Sequence, residues 1–169
     1  MKIYNNFLPK ENFEGIKKIM TGPDFPWFFN NEVLSLPGKN PHFQFVHTFY
    51  LRDKENSNLL EFLTPIITKF KPLTLLRIKA NLLTRTEKHV EHGYHVDYAS
   101  SKSAKITTGI FYINTNNGYT KFKNGKKIKS KENTFIEFKA DELHTGASCT
   151  DEKRRIVINF NYIKFENNY

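Results

Sequence analysis

From Leu75 onward, apolar and polar residues alternate with a period of two in one short run after another, and this commits the second half of the chain to β-sheet. In "LLRIKANLL" (75–83), Leu76, Ile78, Ala80 and Leu82 share one face and Arg77, Lys79 and Asn81 the other, the pattern of a half-buried strand. The runs "KITTGIFYIN" (105–114), "GYTKF" (118–122), "KKIKS" (126–130), "NTFIEF" (133–138) and "RRIVINFNYI" (154–163) follow, and "HFQFVHTFYL" (42–51) precedes them. Asn124-Gly125, between two runs, predicts a two-residue hairpin turn. The N-terminal third has helical spacing instead. Phe13, Ile16, Ile19 and Met20 predict a short amphipathic helix ending near Gly22-Pro23. Leu59, Leu63, Ile66 and Phe70 predict a second, broken at Pro65, with Thr64 capping the new start. Helices followed by short antiparallel strands predict a double-sheet sandwich or jelly roll with the helices on one outer face.

A chain of 169 residues is long enough for one domain with a real core, and sixteen Phe and eight Tyr supply the apolar surface for it. Residues 1–169 read as a single domain in which about 1–72 support a jelly-roll core at about 73–163. No apolar run approaches the roughly 20 residues that cross a bilayer, and the first residues lack the apolar stretch of a signal peptide, so the expectation is a cytoplasmic protein with no membrane partner. Cys149 stands alone, with no partner for a disulfide and no base beside it in sequence. The net charge is +9, and "KFKNGKKIKSK" (121–131) holds six lysines. Such a hairpin reads as a solvated face protecting a sheet edge. It reads equally as a phosphate-binding strip for nucleic acid, with Tyr119 and Phe122 to stack on bases.

The chemistry concentrates in "EHGYHVDYAS" (91–100). On an extended segment, positions i and i+2 point the same way, so His95 and Asp97 present an imidazole and a carboxylate to one point. His144, in "DELHTG", supplies a third donor from another strand, and Asp141 in the same stretch is a competing carboxylate. Two neutral imidazoles and one carboxylate leave open positions on an octahedral ion, the arrangement of non-haem Fe(II) oxygenases. One negative charge against a divalent cation favours an anionic co-ligand. If that is a dicarboxylate, its far end needs a guanidinium, and Arg154 and Arg155 open the last run. Alternation alone does not say which of the two faces inward. The polar stretch "YASSKSAK" (98–105) reads as a substrate-covering loop, and His42, His47, His89 and His92 receive no role.

The blocks "HVD" (95–97), "YIN" (112–114), "NGYTKF" (117–122), "NTFIEF" (133–138), "LHTG" (143–146) and "RIVINF" (155–160) occur in an order and spacing that resemble the Fe(II)/2-oxoglutarate-dependent dioxygenases, in particular the prolyl-4-hydroxylase-like group. The resemblance covers 91–163, and more loosely the N-terminal helices; "NFNY" near the C-terminus also resembles small oxygenases carried by marine phages. It implies a mainly β fold with flanking helices, the double-stranded β-helix or jelly roll. It implies Fe(II) and 2-oxoglutarate as cofactors, O2 as co-substrate, and hydroxylation of peptidyl proline or a related residue or small molecule. Carried over by position, it implies His95, Asp97 and His144 as metal ligands. It further implies Arg155 on the far carboxylate of 2-oxoglutarate, Tyr112 touching the same carboxylate, and Asn159 lining that pocket. Leu82 stands where prolyl hydroxylases tend to have a second pocket tyrosine, and Tyr119 replaces the turn glutamate, which leaves the substrate open. A nucleic-acid or nucleotide oxygenase and a non-catalytic jelly-roll binding module are the competing expectations.

Overall fold

The alternating runs become the centre of the molecule, whose computed structural model describes residues 1–33, 42–99 and 105–164. The expected covering loop at 98–105 falls mostly outside the described residues. In chain order the elements are β1 (Lys2–Tyr4), α1 (Lys10–Thr21), β2 (Phe28–Asn30), β3 (Gln44–Leu51), β4 (Lys54–Glu55), a 3-10 segment (Asn58–Leu63) and α2 (Thr64–Phe70). Then come β5 (Thr74–Thr84), β6 (Ile106–Tyr112), β7 (Tyr119–Phe122), β8 (Lys127–Lys129), β9 (Thr134–Lys139), β10 (His144–Gly146) and β11 (Arg154–Ile163). An eight-stranded sheet runs β1-β9-β6-β11-β5-β3-β2, with β4 attached to β3, and β10-β7-β8 form a second sheet. Among the described residues no helix is long and apolar enough to cross a membrane.

β11 holds the middle of the large sheet, antiparallel to β5 and β6. Its even-numbered residues Ile156, Ile158, Phe160 and Tyr162 are fully buried beneath the helices, where Phe13, Ile16 and Met20 of α1 join them. Ile78, Ala80 and Leu82 of β5 belong to that same core. The helices therefore cover one outer face, as the sequence predicts, and the two sheets enclose a cavity on the other. This is the jelly roll.

The polar face of β5 keeps the half-buried character that the alternation predicts, and its partly buried Arg77, Lys79 and Asn81 line the cavity between the sheets. Leu82, read as standing in the place of a pocket tyrosine, lies in the helix-side core, and the β5 residue next to it that reaches the cavity is Leu83.

Local chemistry explains smaller differences. The β7–β8 hairpin turns through three residues, because the Gly125 N–H donates to the Phe122 carbonyl at 2.9 Å and the Phe122 N–H to the Lys126 carbonyl at 2.9 Å. Gly125 alone takes positive φ (+89°), whereas a two-residue turn of the Asn-Gly kind needs it at both positions. Pro65 sits in the first turn of α2, but Thr64 caps nothing; the side-chain cap belongs to Ser57, which accepts from the Leu59 N–H. β1, β2, β4 and β10 have two or three residues each, too short for a period to show. The N-terminal segment is fastened by Asn133, whose side chain accepts from the Leu8 N–H at 2.8 Å and donates to the Leu8 carbonyl at 2.9 Å.

Gly109 of β6 lies beneath the Phe135 ring, and a Cβ there would stand 2.4 Å from its Cζ. Phe135 is fully buried and stacks on Phe7 and Phe70, so it has nowhere to retreat. Gly109→Ala should cost ~1–3 kcal/mol by overpacking, which lowers Tm by roughly 2–4 °C per kcal/mol for a chain of this length. Thermal melts followed by circular dichroism check it; an unchanged Tm contradicts this packing.

Candidate metal centre

His95 and His144 meet as an antiparallel bridge. Each backbone N–H donates to the other's carbonyl, at 2.9 and 3.0 Å, and the ring centroids lie 4.5 Å apart. The Asp97 N–H donates to the Ala140 carbonyl at 3.0 Å, so the segment carrying His95 and Asp97 is laced to β10 and to the turn that leads into it. One ligand atom from each of His95, Asp97 and His144 falls within 4.8 Å of the others, the grouping expected from sequence. Asp141 is exposed and outside this group.

The tautomers suit a cation. His144 Nδ1 lies 2.9 Å from the Glu142 carbonyl, which can only accept, so Nδ1 carries the proton and Nε2 keeps its lone pair. His95 Nδ1 is placed likewise toward the Gly93 carbonyl at 3.4 Å. Burial first, and then His144, push the His95 pKa below its ordinary value, keeping it neutral. The Asp97 side chain is 4% exposed. Burial alone would raise its pKa, but Arg77, His144 and hydrogen bonds from Thr108 and Asn161 outweigh it and hold the carboxyl below the usual range. Arg77 Nη2 donates to Oδ1 at 2.9 Å, while Thr108 and Asn161 donate to Oδ2 at 2.7 and 3.1 Å.

These donors face a cavity of about 350 Å³ between the sheets. Arg155 enters it, 3% exposed, with Nε donating to Ser130 at 2.7 Å and Nη2 to Thr120 at 3.2 Å. Gly118 makes room for it, since a Cβ there would stand 2.6 Å from Arg155 Cδ. Arg154 turns the other way and donates to the Thr21 carbonyl at the C-terminal end of α1, at 2.7 Å. Tyr112 is fully buried behind Arg155; its hydroxyl donates to Thr120 at 2.9 Å, and it is not among the cavity-lining residues. Asn159 lines the cavity, and its buried Oδ1 has no hydrogen-bond partner among the described residues.

Sequence reasoning missed Arg77, Thr108 and Asn161, which grip Asp97. It also missed His92, whose ring lines the cavity with a pKa lowered to about 4 by burial, His42 and Arg155. Alternation carried a signal for Asn161, which shares its face with Arg155 and Asn159. Cys149 is buried and burial raises its pKa, the opposite of an activated thiol.

The base-stacking role expected of Phe122 and Tyr119 in the lysine hairpin does not match their surroundings. Phe122 is 1% exposed, Lys127 covers the Tyr119 ring at 4.5 Å, and Lys121 pairs with Glu91 at 2.9 Å.

No protein-family pattern matches the chain, and no curated protein does either. Solved structures do share the fold. A 2OG-Fe(II) oxygenase-family oxidoreductase from Burkholderia pseudomallei superposes with a TM-score of 0.63 at 10% identity, over 95% of this chain and 83% of that one. The viral collagen prolyl hydroxylase of Paramecium bursaria Chlorella virus-1 gives 0.56 at 14% identity, over 98% and 96%. An α-ketoglutarate-dependent epimerase of nogalamycin biosynthesis gives 0.66 at 11% identity, over 96% and 76%. The fold is therefore that of the 2-oxoglutarate oxygenases and prolyl hydroxylases, and it hosts more than one reaction.

Thr108→Val keeps the side-chain shape but removes the donor to Asp97 Oδ2. It should weaken Mn(II) binding by roughly 10- to 100-fold, the usual cost of losing an outer-shell partner. Calorimetric titration reads this directly; unaltered affinity would show that Asp97 needs no such orientation.

Proposed function

We propose that the chain is an Fe(II)- and 2-oxoglutarate-dependent dioxygenase that hydroxylates a proline residue or a related residue or small molecule. The observation that carries this reading is the convergence, in one cavity, of a two-histidine, one-carboxylate cluster and a buried arginine with no carboxylate against it among the described residues. The donor set suits a ferrous ion and leaves positions for a chelating keto acid and O2. Bound there, the iron would supply the coupled oxidation in which substrate C–H, O2 and 2-oxoglutarate become C–OH, succinate and CO2.

The chain's own residues prepare that chemistry. His95, Asp97 and His144 would hold the metal, the histidines as neutral donors. Arg155 would receive the far carboxylate of 2-oxoglutarate in two parallel hydrogen bonds. Ser130 and Thr120 fix the guanidinium plane beforehand, so little side-chain entropy remains to be lost on binding. Ile110, Val157 and Leu83 give the same space an apolar wall, which strengthens the charged contacts beside it.

Anaerobic addition of Fe(II) and 2-oxoglutarate should develop the weak visible charge-transfer band of the chelate, and succinate should form on admitting air, with His95→Ala as the blank. Arg155→Leu should weaken 2-oxoglutarate binding by roughly 30-fold or more, since truncating one partner of a buried charged pair costs about 2–5 kcal/mol. A colourless sample that makes no succinate would favour a binding module without redox chemistry. Turnover raised by single-stranded oligonucleotide and not by proline-containing compounds would favour a nucleic-acid oxygenase.

A further inference from the structure

The cavity wall made by β5 carries two cations besides Arg155, and only one of them, Arg77, has a part in the metal site, through Asp97. Arg77 and Lys79 both face inward, two residues apart, with Asn81 beyond them and Gln44 of β3 close by. Arg77 gives one hydrogen bond to Asp97 Oδ1 and one to Asn161 Oδ1, at 2.9 and 2.8 Å. Lys79 has no hydrogen-bond or ion-pair partner among the described residues, although burial, and then Arg77, push its pKa below the usual lysine value. It lies opposite Asn159 in the β5–β11 ladder, and that residue's Oδ1 also has no partner among the described residues.

Charge counting shows what is missing. Asp97 is the one acid among the described residues lining the cavity, against Arg77, Lys79 and Arg155. Adding a divalent ion and a dianionic keto acid gives five positive charges against three negative. Two excess cations at partly buried positions are costly unless an anion meets them. The pairing is also irregular here: on the β11 side β5 has an extra residue at Leu76, next to Arg77, and on the β3 side the extra residue is Phe49 of β3, facing Ile78 and Lys79. Bulges of this kind re-aim side chains next to functional sites. At about 350 Å³, the cavity is near the lower end for ligand pockets, roughly 300–1,000 Å³, which suits a small molecule.

We propose that Arg77 and Lys79 form a carboxylate-recognition subsite, so that the substrate is a small carboxylic acid, such as a free or terminal amino acid, anchored on β5 beside the His95–Asp97–His144 centre. The hydroxylation of that acid rests on the reading under Proposed function; the anion subsite itself does not.

The test is calorimetric titration of N-acetyl amino acids against the corresponding amides, with adenosine 5′-monophosphate as a phosphate arm. It is run on protein carrying Mn(II) and 2-oxoglutarate and again on protein with neither. At least one acid should bind roughly 10- to 100-fold tighter than its amide, the scale of one charged hydrogen bond. Lys79→Met should abolish that preference without altering 2-oxoglutarate affinity, and Lys79→Arg should restore it. Because Lys79 has no hydrogen bond or ion pair to lose among the described residues, the Met variant should melt no lower than the parent protein, and the Arg variant controls for shape. Equal binding of every acid and amide, a preference that survives in Lys79→Met, a loss of 2-oxoglutarate affinity instead, or tighter binding of the nucleotide than of any acid would each overturn the subsite. Acid preference in a protein that never forms succinate would leave the subsite standing and remove the oxygenase; succinate without acid preference would do the reverse.

Discussion

The carboxylate of Asp97 is the point at which three strands of the large sheet and the segment leading into β10 are tied together. Arg77 of β5, Thr108 of β6 and Asn161 of β11 each give it a hydrogen bond, and its own N–H is held by Ala140. A buried carboxylate without such partners costs several kcal/mol, so the site exists only because all three strands present a donor at the same level. Register therefore matters more here than anywhere else in the sheet. Once Asp97 is fixed, His95 two residues earlier must point into the same space, and the reciprocal bridge with His144 brings the third donor across from the small sheet.

The large sheet does two different jobs on its two faces. The helix side is a dense aromatic layer in which Phe70 stacks on Phe135 and Tyr162, centroids 5.6 and 4.4 Å apart, and Phe135 on Phe7 at 4.6 Å. Rings locked by neighbours on every side leave β11 little freedom to shift, and that rigidity passes through the strand to Arg155, Asn159 and Asn161 on its other face. The cavity side inverts the usual rule for a sheet interior, being polar and cationic. Its guanidinium groups are held by Asp97, Asn161, Ser130 and Thr120, and the apolar layer behind supplies the stability that this face does not.

Much of this is legible in the amino-acid sequence, for a definite reason. Strands of seven to eleven residues show a period, so β3, β5, β6 and β11 stand out. The metal triad shows because its i, i+2 pair lies on extended backbone and its third member falls within a short polar stretch. What escapes is what depends on pairing between distant strands. Arg77, Thr108 and Asn161 meet only because β6, β11 and β5 lie side by side in that order, and nothing local to any of the three announces the meeting. Arg77, Lys79 and Asn81 are visible as a polar face, but periodicity cannot distinguish open solvent from a cavity as the thing such a face looks onto. Only the packing of the second sheet, whose strand β10 is too short to read, makes that distinction.

Parity along two strands then carries most of the specificity. On β11 an odd position faces the cavity and an even one the helices, so Arg155 is a candidate anion ligand while Arg154, chemically identical, becomes a clamp on the end of α1. On β5 the same rule sends Leu82 to the core and Leu83 to the cavity. A single-residue slip of either strand would exchange its pair, and on β11 it would bury Arg154 in the cavity and turn Arg155 toward the aromatic layer. Nothing would then offset the desolvation of that guanidinium, because the Ser130 and Thr120 hydroxyls lie on the other side. The apolar helix face thus holds the register, and the register decides which arginine meets the ligand.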